Sequence, residues 1–267
     1  MSNTNDLRIT LVQTDLHWED REANLKHLDQ HLSRIVEPTD LVVLCEMFTT
    51  GFTMQPAKYA ETMDGPSVDW MRRLSVEKKA IITGSLIIEE NGNYYNRLIW
   101  MLPNGQLGYY DKKHLFSFAQ EEQHYSSGNK RLIASVKGWR INLQICYDLR
   151  FPVWARQQQQ NDEPEFDILL YVANWPQRRA HAWKTLLTAR AIENQAYVIG
   201  VNRVGNDGNK IYHSGDSMVI DALGEVLFHQ ADDETVFTMT LHKESLQQTR
   251  NKFPFLHDAD DFTILAM

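Results

Sequence analysis

The sequence predicts an α/β protein with mixed sheets, and one arrangement that suits it is a four-layer α-β-β-α sandwich of two mixed sheets with helices outside. Three observations carry this. Two largely apolar runs of strand length, Leu41–Cys45 and Phe166–Ala173, suit central strands, the first covered on both faces. Each belongs to a strand–helix–strand unit. Turn signals such as Asn91-Gly92 and Asp221–Gly224 then fold the following segments into hairpins, so each sheet is partly antiparallel. The two halves of the chain look alike at this level. No linker or low-complexity tract interrupts them, so residues 1–267 read as one domain.

Taken in order, Leu7–Thr14 alternates like a strand, and Asp20–Val36 carries Leu25, Leu28, Leu32 and Ile35 at helical spacing. Glu37–Asp40 ends that helix before Leu41–Cys45. Asp64–Ser67 turns into a helix over Val68–Lys79. Ala80–Ile88 and Tyr94–Leu102 are strands flanking Asn91-Gly92, and Leu107–Tyr110 follows the turn Pro103–Gly105. Arg131–Val136 and Ile141–Ile145 lie on either side of Lys137-Gly138. Val153–Gln160 reads as a helix whose glutamine run, Gln157–Gln160, is an exposed end, and Asp162–Glu165 as a surface loop. Ala180–Gln195 is the clearest helix. Trp183, Leu186, Leu187, Ala191 and Ile192 share one face, and Arg190 and Glu193 are spaced to pair. Ala196–Asn202, Ser217–Ile220, Glu225–Phe228 and Glu234–Thr240 are strands around the Gly205–Asn209 and Asp221–Gly224 loops, and Leu241–Arg250 is a final helix.

With 43% hydrophobic residues, a chain of 267 residues buries a sizeable core. Its net charge of -8 argues against nucleic acid, whose phosphates need a basic face. Two cysteines, Cys45 and Cys146, make no disulfide framework and fit a reducing cytoplasm. The N-terminus lacks a signal-peptide pattern, and no apolar stretch reaches the roughly 18–20 residues of a membrane span. Neither nucleic acid nor membrane is expected as a partner. The ten histidines read as scattered, with no His-x-x-x-His pair beside a carboxylate, and there is no glycine-rich phosphate loop, so no metal and no other cofactor is expected.

The candidate chemistry gathers at strand ends. Ile141–Ile145 alternates like a strand and delivers Cys146, followed by Tyr147, Asp148, Arg150 and Phe151-Pro152. That thiol reads either as a nucleophile or as a small core residue. Glu46 follows Leu41–Cys45, the usual place for chemistry in α/β folds, and Met47, Phe48 and Phe52 around it speak against a solvated loop carboxylate. Gly51 suits a tight turn there. Lys112 stands in Tyr110–Phe116, Y-D-K-K-H-L-F, at the end of another strand, and Glu121 and Glu122 follow. A free thiol is a poor nucleophile at neutral pH. A carboxylate can take its proton, and an ammonium can stabilise the thiolate and a developing oxyanion. Glu46, Lys112 and Cys146 would together suffice for acyl transfer.

These segments, C-E-M-F-T-T-G-F, Y-D-K-K-H-L-F and I-C-Y-D-L-R-F-P, resemble in order the Glu, Lys and Cys motifs of the nitrilase superfamily of carbon–nitrogen hydrolases. Asn174-Trp175-Pro176, A-R-A-I-E-N-Q and V-N-R-V-G resemble its later segments, so the likeness runs along nearly the whole chain. The resemblance implies the α-β-β-α sandwich, Glu46 as general base, Cys146 as nucleophile and a lysine in the pattern Tyr-x-Lys-x-His. Tyr110 and His114 select Lys112 for it, leaving Lys113 on the surface. It also implies a second carboxylate, placed at Glu121 with Glu122 as the other option. Cys45 stands where the family commonly has proline and is expected to be buried and inert. Within the family the motifs are most similar to the ω-amidase branch, which deamidates 2-oxoglutaramate and short monoamides such as succinamate.

Phe48, Phe116, Tyr147, Arg150 and Trp175 are the candidate substrate contacts, Tyr147 through its backbone N–H, with core packing the alternative for Phe48, Phe116 and Trp175. Arg150 could hold a substrate carboxylate, or pair internally with Asp148 or Glu121. The family usually forms dimers or larger assemblies, and the apolar tail F-T-I-L-A-M could pack on a partner subunit. Other readings remain open: another amidase, carbamoylase or nitrilase of the same superfamily, or a binding protein that kept the fold without catalysis.

Overall fold

The computed structural model of the chain describes residues 5–160 and 163–264. The first half gives β1 (Leu7–Gln13), α1 (Arg21–Leu32), β2 (Leu41–Val43), the short α2 (Pro56–Tyr59), α3 (Pro66–Lys78), β3 (Ile81–Glu90), β4 (Asn93–Met101) and β5 (Leu107–Asp111). The second half gives β6 (Ile133–Val136), β7 (Trp139–Ile145), α4 (Pro152–Ala155), a two-residue ladder of β8 (Gln159–Gln160) and β9 (Glu163–Pro164), β10 (Ile168–Ala173) and α5 (Ala180–Asn194). It continues through β11 (Tyr197–Asn202), β12 (Val204–Asn206), β13 (Tyr212–Ile220), β14 (Val226–Ala231), β15 (Thr235–Leu241) and α6 (Lys243–Lys252).

Two mixed sheets result. One runs β15-β1-β2-β3-β4-β5, and the other runs β12-β13-β11-β10-β7-β6 with β14 on β13. The first pairs antiparallel, parallel, parallel, antiparallel, antiparallel along that order. The second shows the same succession from β6 through β7, β10, β11 and β13 to β14. The likeness of the two halves is therefore a likeness of strand pairing.

Period-two alternation puts the central strands in two cores at once. Ile168, Leu170 and Val172 of β10 join the core shared with the first sheet. Leu169, Tyr171 and Ala173 pack with Trp183 and Leu187 of α5. Burial of each Ile, Leu or Val side chain here stabilises by about 1.5–3 kcal/mol. With α3 against β3 and α5 against β11 and β13, the four-layer α-β-β-α sandwich expected from the sequence is present.

Several local expectations are corrected. α1 begins where Asp20 accepts from the Ala23 N–H, but it ends at Leu32 rather than Val36, as the Ser33 hydroxyl donates to the Gln30 carbonyl. The helix expected over Val153–Gln160 stops at Ala155. Gln157 is buried, not an exposed end: its side chain exchanges hydrogen bonds with the backbone of Phe166 at 3.0 and 2.9 Å. The Gln160 side chain and Asp162 lie outside the described residues. Ile192 does not join the buried face of α5 but is about half exposed. Arg190 and Glu193 do pair, at 3.0 Å. Ile264 of the C-terminal tail packs on this chain's own core, and residues 265–267 lie outside the described residues. Among the described residues no helix is long and apolar enough to cross a membrane.

Candidate active site

Equivalent strand ends of the two sheets meet at one place. Glu46 follows β2 and Asn174 follows β10, and the Asn174 N–H donates to Glu46 Oε2 at 2.8 Å across the sandwich. Cys146 follows β7, and its backbone takes the left-handed conformation, φ +43°. That geometry costs a residue bearing a Cβ roughly 1–2 kcal/mol. It breaks the strand sharply into a 3-10 turn over Cys146–Arg150. The thiol is left half-buried, opening on a cavity of about 420 Å³.

Asp148 holds this elbow. One of its carboxylate oxygens accepts the Ile145 N–H at 3.0 Å and the Tyr110 hydroxyl at 2.8 Å. The other accepts from the His114 N–H at 3.0 Å and bonds its Nδ1 at 2.8 Å. The spacing of Tyr110 and His114 about Lys112 thus has a physical reason. Both flanking side chains bind one buried carboxylate of the cysteine segment, which turns Lys112 inward. Lys113 faces away, with its ammonium 5.7 Å from the Trp154 ring.

Lys112 is buried between two carboxylates, 3.0 Å from Glu46 Oε1 and 2.9 Å from Glu121 Oε2. Glu121 is fully buried and also accepts the Phe116 N–H at 2.6 Å, whereas Glu122 is exposed. Burial works against the charge of Lys112, but Glu121, Glu46 and Cys146 outweigh it and hold the ammonium above its ordinary pKa. Burial raises the Glu121 carboxyl, with Lys112 opposing. Burial first, then the charge of Glu46, pushes the Cys146 thiol well above its ordinary value, so the resting thiol keeps its proton. Cys45 is buried in the core and pushed up to about 12 by desolvation.

Two residues in this network escaped sequence reading. Asn96 on β4 donates to Glu46 Oε1 at 2.7 Å. Asn174, named only as part of a motif, also donates through its side chain to the Glu46 carbonyl, and its own Oδ1 has no protein partner among the described residues. Asn96 lies 50 residues from Glu46 and Asn174 lies 128 away, so no local pattern announces either contact.

Of the expected substrate contacts, Phe116, Tyr147, Arg150 and Trp175 line the cavity with Cys146. Phe48 does not. It is fully buried and packs against Trp70 and over Gly84, where an added Cβ would come within 2.9 Å of its ring. Phe52 takes the cavity position, its ring centroid 5.0 Å from Lys112 Nζ. The intervening turn needs Gly51 at φ +74°, where an added Cβ would meet the Trp18 ring at 3.0 Å. Arg150 pairs with neither Asp148 nor Glu121, because both carboxylates are already taken. It lies over Trp175, 5.0 Å from the ring centroid. Arg178 and Arg179 line the same cavity, and no carboxylate pairs with any of the three among the described residues. Burial, followed by the charge of Arg178, lowers the pKa of Arg179.

His213, also on the cavity wall, is buried, and desolvation and then Arg203 lower its pKa to about 4. It stays neutral in the fold while the unfolded chain takes up a proton below the usual value of 6.5. Its contribution is therefore complete above that pH and is lost as pH falls toward 4, amounting to about 3 kcal/mol at most. His213→Gln should narrow the gap between thermal midpoints at pH 7.5 and pH 4.5. An unchanged gap would remove His213 as the acid-sensitive group.

Comparison with known proteins places the chain in a family. The carbon-nitrogen hydrolase family model matches residues 8–251. The chain is 46% identical over 260 residues to the omega-amidase YafV of Yersinia enterocolitica, covering 97% of this chain and 99% of that one. It is 28% identical over 253 residues to a 2-oxoglutaramate amidase of Bacillus subtilis, covering 94% and 96%. Its fold superposes with a TM-score of 0.95, at 46% identity and over 97% and 99% of the two chains, on the crystal structure of XC1258 from Xanthomonas campestris, a CN-hydrolase superfamily protein with an arsenic adduct in its active site. The chain belongs to the carbon–nitrogen hydrolase family, the nitrilase superfamily, in its ω-amidase branch, and is an amide-hydrolysing enzyme.

Proposed function

We propose that the enzyme is an ω-amidase that releases ammonia from a short monoamide of a dicarboxylic acid, such as 2-oxoglutaramate or succinamate, through a thioester on Cys146. Glu46 takes the thiol proton as sulfur attacks the amide carbon. The oxyanion forms against the Lys112 ammonium and the Tyr147 N–H. Lys112 Nζ donates to Glu46 Oε1 and to both oxygens of Glu121, and the ammonium so held supplies its positive charge to the oxyanion. Glu46 returns its proton to the leaving nitrogen, the C–N bond breaks and ammonia departs. A water deprotonated by Glu46 then attacks the thioester, and the acid leaves as Cys146 recovers its proton. Glu121 orients Lys112.

The observation that carries the substrate class is the set of arginines, Arg150, Arg178 and Arg179, lining the Cys146 cavity without carboxylate partners among the described residues. A substrate carboxylate at the far end from the amide supplies the missing partner. Ammonia release from succinamate should then exceed that from an uncharged amide of equal length. Arg150→Gln or Arg179→Gln should lower kcat/KM for succinamate by about 10–100-fold, the worth of a charge-assisted hydrogen bond. The uncharged amide should be nearly unaffected. Equal losses on both substrates would remove the arginines from carboxylate recognition, and a preference for nitriles or carbamoyl compounds would overturn the substrate class. The reading extends to one catalytic domain over residues 1–267, a homodimer or larger homo-oligomer, and a reducing cytoplasm suited to two unpaired thiols.

A further inference from the structure

His27 and His31 stand four apart on α1 and so share one of its faces, an arrangement that the expectation of scattered histidines had passed over. The loop between β14 and β15 brings Glu234 beside them. His27 Nε2 lies 2.7 Å from Glu234 Oε1, His31 Nε2 lies 3.4 Å from the same oxygen, and the two Nε2 atoms are 3.1 Å apart. The carboxylate is itself held, for Oε1 accepts from the Thr14 hydroxyl at 2.7 Å and the Asp15 N–H at 2.9 Å. These are the outer contacts that fix a ligating carboxylate. His31 is buried, while His27 and Glu234 are partly open to solvent.

A single proton can bridge the two imidazole nitrogens at 3.1 Å, but if His31 donates it, His27 Nε2 has no proton for Glu234 Oε1 at 2.7 Å, and if His27 donates it, the two contacts compete for it. One cation between them satisfies both nitrogens and the carboxylate together. Three atoms bound to one zinc ion at 2.0–2.1 Å stand about 3.3 Å apart in a tetrahedron, close to the separations here. Protonation states agree with ligation. Burial lowers the His31 pKa, favouring the neutral ring. Against the opposing effect of burial, bonds from His27, Thr14 and Asp15 hold Glu234 ionised, its pKa near 2.

We propose that His27, His31 and Glu234 form a binding site for one divalent transition-metal ion of the zinc class, with water completing the shell. The ion would clip α1 to the end of β1 and the start of β15. The same helix supports the active-site loop, since Asn24 donates to the Thr49 carbonyl at 2.8 Å. The site is independent of the amidase reading and uses none of its residues.

Cobalt(II) titration of the tag-free, chelator-stripped protein tests this. One cobalt should bind per chain, with visible d–d absorption and no near-ultraviolet thiolate charge-transfer band, and zinc should displace it. Zinc should also raise the thermal midpoint, since binding to the folded state alone stabilises it. Cys146→Ala should bind cobalt as the parent does. His27→Ala should weaken binding by at least about tenfold, as should Glu234→Gln, which keeps the shape of the side chain. Both positions are partly exposed, so circular dichroism should report an intact fold. Absence of cobalt binding would overturn the proposal, and so would a thiolate band or binding that survives both substitutions.

Discussion

Cys146→Ala should abolish ammonia release, lowering kcat by at least about 10⁴-fold, and leave the fold intact. The size follows from removing the proposed nucleophile, whose partners cannot act without it. The intact fold follows from local geometry. Cysteine and alanine both carry a Cβ, so the left-handed backbone at φ +43° is no more strained after the change. The thiol is half-buried and opens on a cavity, so the space left behind joins existing solvent volume instead of making a closed void. Mass spectrometry with a short amide should show an added acyl group on Cys146 in the parent and none in the variant. An alkylating amide analogue should label Cys146 well before Cys45, which is buried and held near pKa 12. Equal labelling of the two cysteines, or turnover persisting in Cys146→Ala, would refute the nucleophile assignment.

Lys112→Ala has the second largest expected effect, and it falls on stability as well as on rate. Lys112 sits between Glu46 and Glu121 with no exposed side-chain surface on any of the three. Removing it strands two buried carboxylates, at about 3–5 kcal/mol. The pH dependence has a definite sign. Glu121 is already raised by burial, with Lys112 opposing, so the variant raises it further. A carboxyl raised in the folded state is stabilising while protonated and loses that advantage as pH rises. The deficit of the variant should therefore be smallest in acid and grow as the pH climbs through the ordinary carboxylate range, as urea titrations at several pH values would measure. Lys113→Ala should cost less than about 1 kcal/mol, the worth of a cation–π contact over Trp154, and leave turnover within about twofold. Loss of activity in Lys113→Ala with retention in Lys112→Ala would invert the assignment.

The grouping of Glu46, Lys112 and Cys146 at one cavity was legible because each follows a strand whose pattern is local. The Tyr110 and His114 spacing singled out Lys112, and the structure supplies the cause in Asp148, which binds both flanking side chains. Other expectations had no such local support. Phe48 and Phe52 are equivalent in sequence, and the backbone turn through Met47 and Gly51, both at positive φ, sends one into the core and the other to the cavity. The helix expected over Val153–Gln160 fails because Gln157 finds its partners in Phe166, nine residues on.

By itself the sequence determined the strand ends and the residue types that gather there, since periodicity and turn residues act over a few neighbours, while the resemblance carried by its motifs implied the sandwich. Only the tertiary structure decided which groups face one another across the sheets. Asn96 and Asn174 reach Glu46, three arginines share a cavity, and Glu234 meets His27 over 207 residues of chain. Such contacts depend on sheet stacking and on which face each strand presents. Those are properties of the packed chain, to which no single segment is bound.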